Sequence, residues 1–264
     1  MENALIGFSG FVGSTLLKQA HFSKLFRSTN INKIENSELD VVVCAGARAQ
    51  KWIANRDPVD DRKNIEYLIN YLRTIKCKKF ILISTVDVFR EPIGVDESTP
   101  VDEPGLHPYG FHRRLLEKFV EQHFKSHLIV RLPGLVGPGL RKNVIFDFLN
   151  NNNLHAIESR SIFQFYPMIN LWYDIRIALQ ASLSLVHLTA EPISVADVSL
   201  QGFGRPFTQI LKTPPARYDM QTRHAQIFGS SGQYQYNARE TIQAIRAYAQ
   251  SESVTLKSEC GVAS

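Results

Sequence analysis

Near its start the chain reads Ala4-Leu5-Ile6-Gly7-Phe8-Ser9-Gly10-Phe11-Val12-Gly13-Ser14. A short apolar run meets glycines at 7, 10 and 13, and Val12, Leu16 and Leu17 follow at helical spacing. This is the pattern of a strand, a tight turn and a helix. Gly7 allows the turn, Gly10 lets a ligand phosphate approach the backbone, and Gly13 lets the helix pack close to the strand. The free N–H groups of the first helical turn, aligned with the helix dipole, favour an anion there. The expected anion is the pyrophosphate of a dinucleotide, held by Gly7, Phe8, Ser9, Gly10, Phe11 and Val12. Ala45, Gly46 and Ala47, at the end of another apolar run, are expected near the adenosine ribose.

Further residues could recognise charge. Arg27-Ser28-Thr29-Asn30 follows a second apolar segment. A cation with hydroxyls at that place suits a 2′-phosphate, whereas a carboxylate would suit NAD. NADP through Arg27 and Ser28 is therefore the favoured cofactor and NAD the alternative. Lys142, Asn143, Arg141 and Arg160 are candidates for a substrate pyrophosphate, or ordinary surface. Tyr166, Trp172 and Tyr173 could stack on a base, although core packing is the favoured reading for them.

The elements that must position these groups alternate. Apolar segments at 24–26, 40–44, 80–83 and 127–132 read as strands. Amphipathic segments at 58–75, opened by Pro58, and at about 109–124 read as helices. The expected fold is α/β, a Rossmann-type doubly wound parallel sheet, with ligands along the carboxyl ends of its strands at Gly7, Arg27, Ala45, Ser84 and Arg131. Past Gly134 the pattern loosens, with helices expected near 171–184 and 237–250 and a frayed tail over 251–264. Residues 1–135 are expected to form the dinucleotide-binding core. Residues 136–264 are expected to form a small, partly irregular substrate lobe with elements returning to the core.

Taken in order, several motifs resemble the extended short-chain dehydrogenases/reductases, the nucleotide-sugar epimerases, dehydratases and reductases. They are Gly7-x-x-Gly10-x-x-Gly13, Ser84-Thr85-x-x-Val88-Phe89, Asp96-Glu97-Ser98-Thr99-Pro100 before Pro108-Tyr109-Gly110, Tyr109-x-x-x-Arg113 with Glu117, and Arg131-Leu132-Pro133 before Gly137-Pro138-Gly139. The resemblance covers about residues 4–140 well. It implies Tyr109 as acid/base, Thr85 on the substrate oxygen and residue 113 on the cofactor ribose. It adds Ser84 and Pro133 to the cofactor side and Asp87 to the substrate side. A free phenol has a pKa of about 10. A cation one helical turn away, together with a cationic nicotinamide, is expected to lower it.

Three departures stand out. Arg113 replaces the family's Lys and stays charged, so it cannot relay a proton. Arg90 stands where the family usually has Gly. Val86-Asp87 keeps one carboxylate where the dehydratases carry two, which speaks against elimination. The expected activity is thus NAD(P)-dependent reduction or epimerisation of a nucleotide-activated sugar. The alternative is a catalytically weak NAD(P)-binding regulatory or assembly protein.

Composition narrows the classes further. The 264 residues are 44% hydrophobic and 21% charged, with net charge +5. The basic residues are scattered, without the stripe and interleaved aromatics of a nucleic-acid binder, and a mild positive bias suits an anionic small molecule. No run approaches the roughly 20 apolar residues of a membrane helix. The opening residues lack a basic signal-peptide region, so a cytoplasmic location is expected. Cys44, Cys77 and Cys260 are odd in number and lack metal-ligand spacing, so no metal is expected. A homodimer is compatible with this reading.

Overall fold

The computed structural model describes residues 2–252. Its centre is a six-stranded sheet of β1 (Asn3–Ile6), β2 (Lys24–Phe26), β3 (Glu38–Cys44), β4 (Lys76–Thr85), β5 (His127–Leu132) and β6 (Leu185–His187). The strand order is β6-β5-β4-β3-β1-β2, and every pairing is parallel. The order reverses between β1 and β3, and ligands of such sheets bind at that crevice.

The strands are apolar on both faces because helices cover both. On one face Val42, Phe80 and Leu82 pack with Ile65, Leu68 and Leu72 of α3 (Pro58–Leu72) and Leu116 and Val120 of α4 (Pro108–His123). On the other face Leu5, Val43 and Ile81 pack with Leu16 of α1 (Phe11–Gln19) and with Leu171, Ile175 and Ala178 of α6 (Leu171–Gln180). Neighbouring strand residues thus serve opposite cores, the period of two that an extended chain imposes. A third core joins α5 (Val144–Asn150), Phe165 and α7 (Ala238–Ser251) through Ile145, Phe148, Ile242 and Ile245.

The expected sheet is present, with shifted edges. The strands over 40–44 and 80–83 extend outward to Glu38–Cys44 and Lys76–Thr85. The helix expected to reach 75 ends at Leu72, and that expected to reach 184 ends at Gln180. Elements without a sequence signal include the short helix α2 (Lys51–Arg56), α5 and β6, which brings the later chain back beside β5. Tyr166 is fully buried and donates to Asp174, Trp172 packs edge-on against Phe22, and Tyr173 is exposed, so none of the three lines the cleft described below. Cys44 is buried, whereas Cys260 and nearly all of the expected tail lie outside the described residues.

Candidate active site

The carboxyl ends of the strands open into a cleft of about 1180 Å³. Its floor at one end is the glycine turn. Gly7 has φ +84°, a conformation side chains disfavour, and a Cβ there would lie 2.3 Å from the Ala45 carbonyl oxygen. A Cβ on Gly13 would lie 2.1 Å from the Gly7 oxygen. Gly10 differs, since a Cβ there would meet only the Gly7 oxygen at an ordinary 3.5 Å. Gly7 and Gly13 therefore serve the packing, and the space above Gly10 is room for a ligand. Helix α1 begins after Gly10 with no side-chain cap, so its first-turn N–H groups are available to an anion. This open cradle fits a dinucleotide pyrophosphate.

Gly7, Ser9, Gly10, Phe11 and Val12 line the cleft, as do Arg27, Ser28, Ala45, Gly46 and Ala47. Phe8 does not; it packs with the core and lies 5.8 Å beneath the Arg27 guanidinium. Arg27 is exposed, and its Nε donates to Thr29 Oγ1 at 2.9 Å.

At the other end the N-terminus of α4 presses against the turn after β4. A Cβ on Gly110 would lie 2.0 Å from the Asp87 carbonyl oxygen. Only a glycine permits this approach, which brings Tyr109 beside Thr85. His107 caps α4 by accepting from the Gly110 N–H at 3.0 Å, and Asn55 of α2 accepts from the Tyr109 N–H at 3.0 Å. Thr85, Asp87, Tyr109, Arg113 and Pro133 all line the cleft. Ser84 lines it as well, while its hydroxyl donates to buried Glu117 at 2.6 Å; Glu117 also pairs with Arg131 at 2.7 Å.

Tyr109 is only 7% exposed. Burial pushes its phenol above the usual value, and Asp87 adds to the rise, while Arg113, Thr85 and Lys51 oppose it. The lowered phenol expected from the sequence is thus corrected for the chain by itself: desolvation outweighs the neighbouring cations. Arg113 does lie against Tyr109, its guanidinium carbon 4.2 Å from the ring centre. Its Nη1 donates to Asp61 at 2.5 Å and its Nη2 to the Arg48 carbonyl oxygen.

Asp87 sits in a polar cluster. Lys51 Nζ lies 2.6 Å from its Oδ1 and donates to the Tyr218 hydroxyl at 3.1 Å. Tyr218 donates to Asp87 at 3.3 Å, as Thr85 does to the other carboxylate oxygen at 3.3 Å. His107 Nε2 stands 3.9 Å from Asp87. Burial pulls the Lys51 ammonium down, but Asp87 and Tyr218 outweigh it and the pKa is raised.

The remaining sequence candidates divide. Lys142 lines the cleft, with its ammonium on the Ala49 carbonyl oxygen and its pKa lowered by burial. Asn143 lines it too, but its side chain caps α5, accepting from Ile145 N–H at 3.0 Å and donating to the Leu135 carbonyl at 2.9 Å. Arg160 is off the cleft wall and held by Glu158 at 2.8 Å. Among the described residues there is no cluster that could hold a metal ion, and no helix is long and apolar enough to cross a membrane.

The cleft also contains Lys51, Asp61 and Tyr218, which the sequence reading missed. Lys51 falls a few residues beyond the strand end at Cys44, a position that could have flagged it. Tyr218 reaches Asp87 across 131 residues of chain and has no local signal.

Comparison with solved structures gives the same fold throughout. The dTDP-4-dehydrorhamnose reductase of Yersinia enterocolitica superposes with TM-score 0.73 at 14% identity, covering 95% of this chain and 99% of that one. A dTDP-4-dehydrorhamnose reductase of Bacillus anthracis in complex with NADP gives 0.70 at 15%, covering 94% and 98%. The UDP-glucuronic acid 4-epimerase of Bacillus cereus, with UDP-4-deoxy-4-fluoro-glucuronic acid and NAD, gives 0.67 at 17%, covering 95% and 98%. No curated protein matches the sequence. The model of the NAD dependent epimerase/dehydratase family matches residues 19–164, more than half of the chain, and the protein belongs to that family.

Proposed function

We propose that the protein is a nicotinamide-dependent oxidoreductase that reduces a nucleotide-activated sugar, with Tyr109 as the proton donor. The observation that carries this reading is one cleft joining an open pyrophosphate cradle at Gly10 to a buried tyrosine flanked by Thr85 and Arg113. When bound, the dinucleotide supplies the hydride. Tyr109 gives its proton to the substrate oxygen, and the Thr85 hydroxyl orients that oxygen. Arg113 stabilises the ribose end of the cofactor and any negative charge on the phenol. Residues 1–135 hold the cofactor. The later chain contributes Lys142 and Tyr218 to the substrate side, opposite Asp87. Arg160, held by Glu158, is left out of that set.

Reduction is the reading taken here, with the buried phenol of Tyr109 held protonated, the form a donor needs. An epimerase must also take a proton at the same site. Arg27 and Ser28 favour NADP, and a cytoplasmic location belongs to the same proposal. Elimination is disfavoured by the single carboxylate at Asp87.

Pairing of Arg113 with Asp61 favours a second reading, a dinucleotide binder with little turnover. One experiment separates the two. The protein is titrated with NADPH and NADH, then screened with thymidine and uridine diphosphate sugars for loss of reduced-nicotinamide absorbance. Binding with turnover supports the reductase, binding without turnover supports the second reading, and absence of binding overturns both.

A further inference from the structure

Asp61 is remote in sequence from the catalytic helix, yet it is 6% exposed and faces two side chains of that helix. Its Oδ2 lies 2.5 Å from Arg113 Nη1 and 2.7 Å from His112 Nδ1. Arg113 is itself 3% exposed. A permanently charged group at that depth requires a counter-ion, and Asp61 is the carboxylate that meets it. The second arm of the guanidinium is fixed by the Arg48 carbonyl, and its plane is set against the Tyr109 ring. Three constraints therefore hold one planar group. Lysine, with a point charge on a flexible stem, lacks the planar fork that spans the carboxylate and the carbonyl while lying against the ring.

We propose that Asp61 is a positioning residue for the nicotinamide half of the cofactor site, locking the Arg113 guanidinium beside Tyr109. The inference rests on the reading of the cleft as a nicotinamide site. It also accounts for arginine at 113: Asp61 and Arg113 form a matched pair in place of a lone lysine. His112, on the same carboxylate oxygen, keeps that carboxylate from turning away from the cleft.

The test compares NADPH with ADP, which fills the adenosine half and lacks the nicotinamide ribose. Dissociation constants are measured by nucleotide fluorescence and calorimetry for wild type, Asp61→Asn, Arg113→Lys and the double variant. Loss of an oriented charged contact should weaken NADPH by about tenfold or more in Asp61→Asn. ADP affinity should be unchanged or slightly improved, because a negative charge has been removed. The double variant should bind NADPH no worse than Arg113→Lys alone, since Asp61 acts through residue 113. Should Asp61→Asn fail to fold, Asp61→Glu keeps the charge but moves it by one methylene and should show the same split between the two nucleotides. Equal weakening of NADPH and ADP, or losses that multiply in the double variant, overturns the positioning role. Wild type that binds ADP but not NADPH overturns the nicotinamide reading, and this inference with it.

Discussion

The Lys51 ammonium lies 2.6 Å from the Asp87 carboxylate, and the pair joins α2 to the turn that carries Thr85. Lys51 also opposes the rise in the Tyr109 pKa. Lys51→Met should therefore leave Asp87 without its cation and raise the phenol further. A weaker acid gives up its proton less readily, so turnover should fall. Lys51→Arg should recover most of it. Unchanged turnover in Lys51→Met would remove the residue from the site.

The space above Gly10 makes a clean test of the cradle. A Cβ there would meet only the Gly7 oxygen, at an ordinary 3.5 Å, and the backbone at position 10 is extended. Gly10→Val should keep its melting temperature and lose dinucleotide binding, because the side chain fills the place of the phosphate. Calorimetry showing wild-type affinity would sink the cradle.

Arg27 can meet a 2′-phosphate, being exposed and, among the described residues, held through its side chain by Thr29 and the Phe8 ring. A charge-assisted contact to phosphate contributes about 1.5–3 kcal/mol. Arg27→Ala should weaken NADP by about ten- to a hundred-fold and leave NAD nearly unchanged. Equal losses for both would rule out this role.

The parts of the site legible in the sequence are those whose chemistry is local. The Gly7, Gly10 and Gly13 spacing is a property of one turn, and Tyr109 with Arg113 shares one helix face. The strands over 40–44 and 127–132 could be read because parallel strands covered on both faces are continuously apolar. Lys51, Asp61 and Tyr218 could not be read this way. Each reaches the cleft by tertiary packing, and in sequence each looks like an ordinary polar side chain. Arg160 failed for a different reason: Glu158, two residues before it, holds its side chain away from the cleft. The Tyr109 phenol shows the limit from the other side, since its cationic neighbour Arg113 was evident but its burial was not.

Glu117 tests how α4 is anchored. It is fully buried and pairs with Arg131 at 2.7 Å while accepting from Ser84 at 2.6 Å. Burial alone would raise its pKa, but Arg131 and Ser84 outweigh this and hold it below the usual value. A depressed carboxylate adds stability that is present above its unfolded pKa of about 4.3 and lost as pH falls through the folded value. Glu117→Gln leaves Arg131 charged and unpaired, which costs about 3–5 kcal/mol at neutral pH. Urea unfolding should show that loss at pH 7 and a smaller difference from wild type at the acid end. A variant as stable as wild type at pH 7 would contradict the anchoring role.

The final prediction concerns the direction of proton transfer at Tyr109. Burial raises the phenol above 10.0, and Arg113 opposes the rise. A donor must be protonated, so the reductive rate should stay level through neutral pH and fall only as pH passes the Tyr109 pKa. Arg113→Ala removes the nearest positive neighbour and should move that alkaline fall to still higher pH. It should also weaken the reduced cofactor. Tyr109→Phe should abolish turnover and keep cofactor affinity, because the ring that lies against Arg113 survives while the proton is lost. These outcomes separate an acid from a base: a base must be ionised, and its rate would climb with pH across the neutral range. A reductive rate that climbs in that way, or full turnover in Tyr109→Phe, would show that Tyr109 is not the donor.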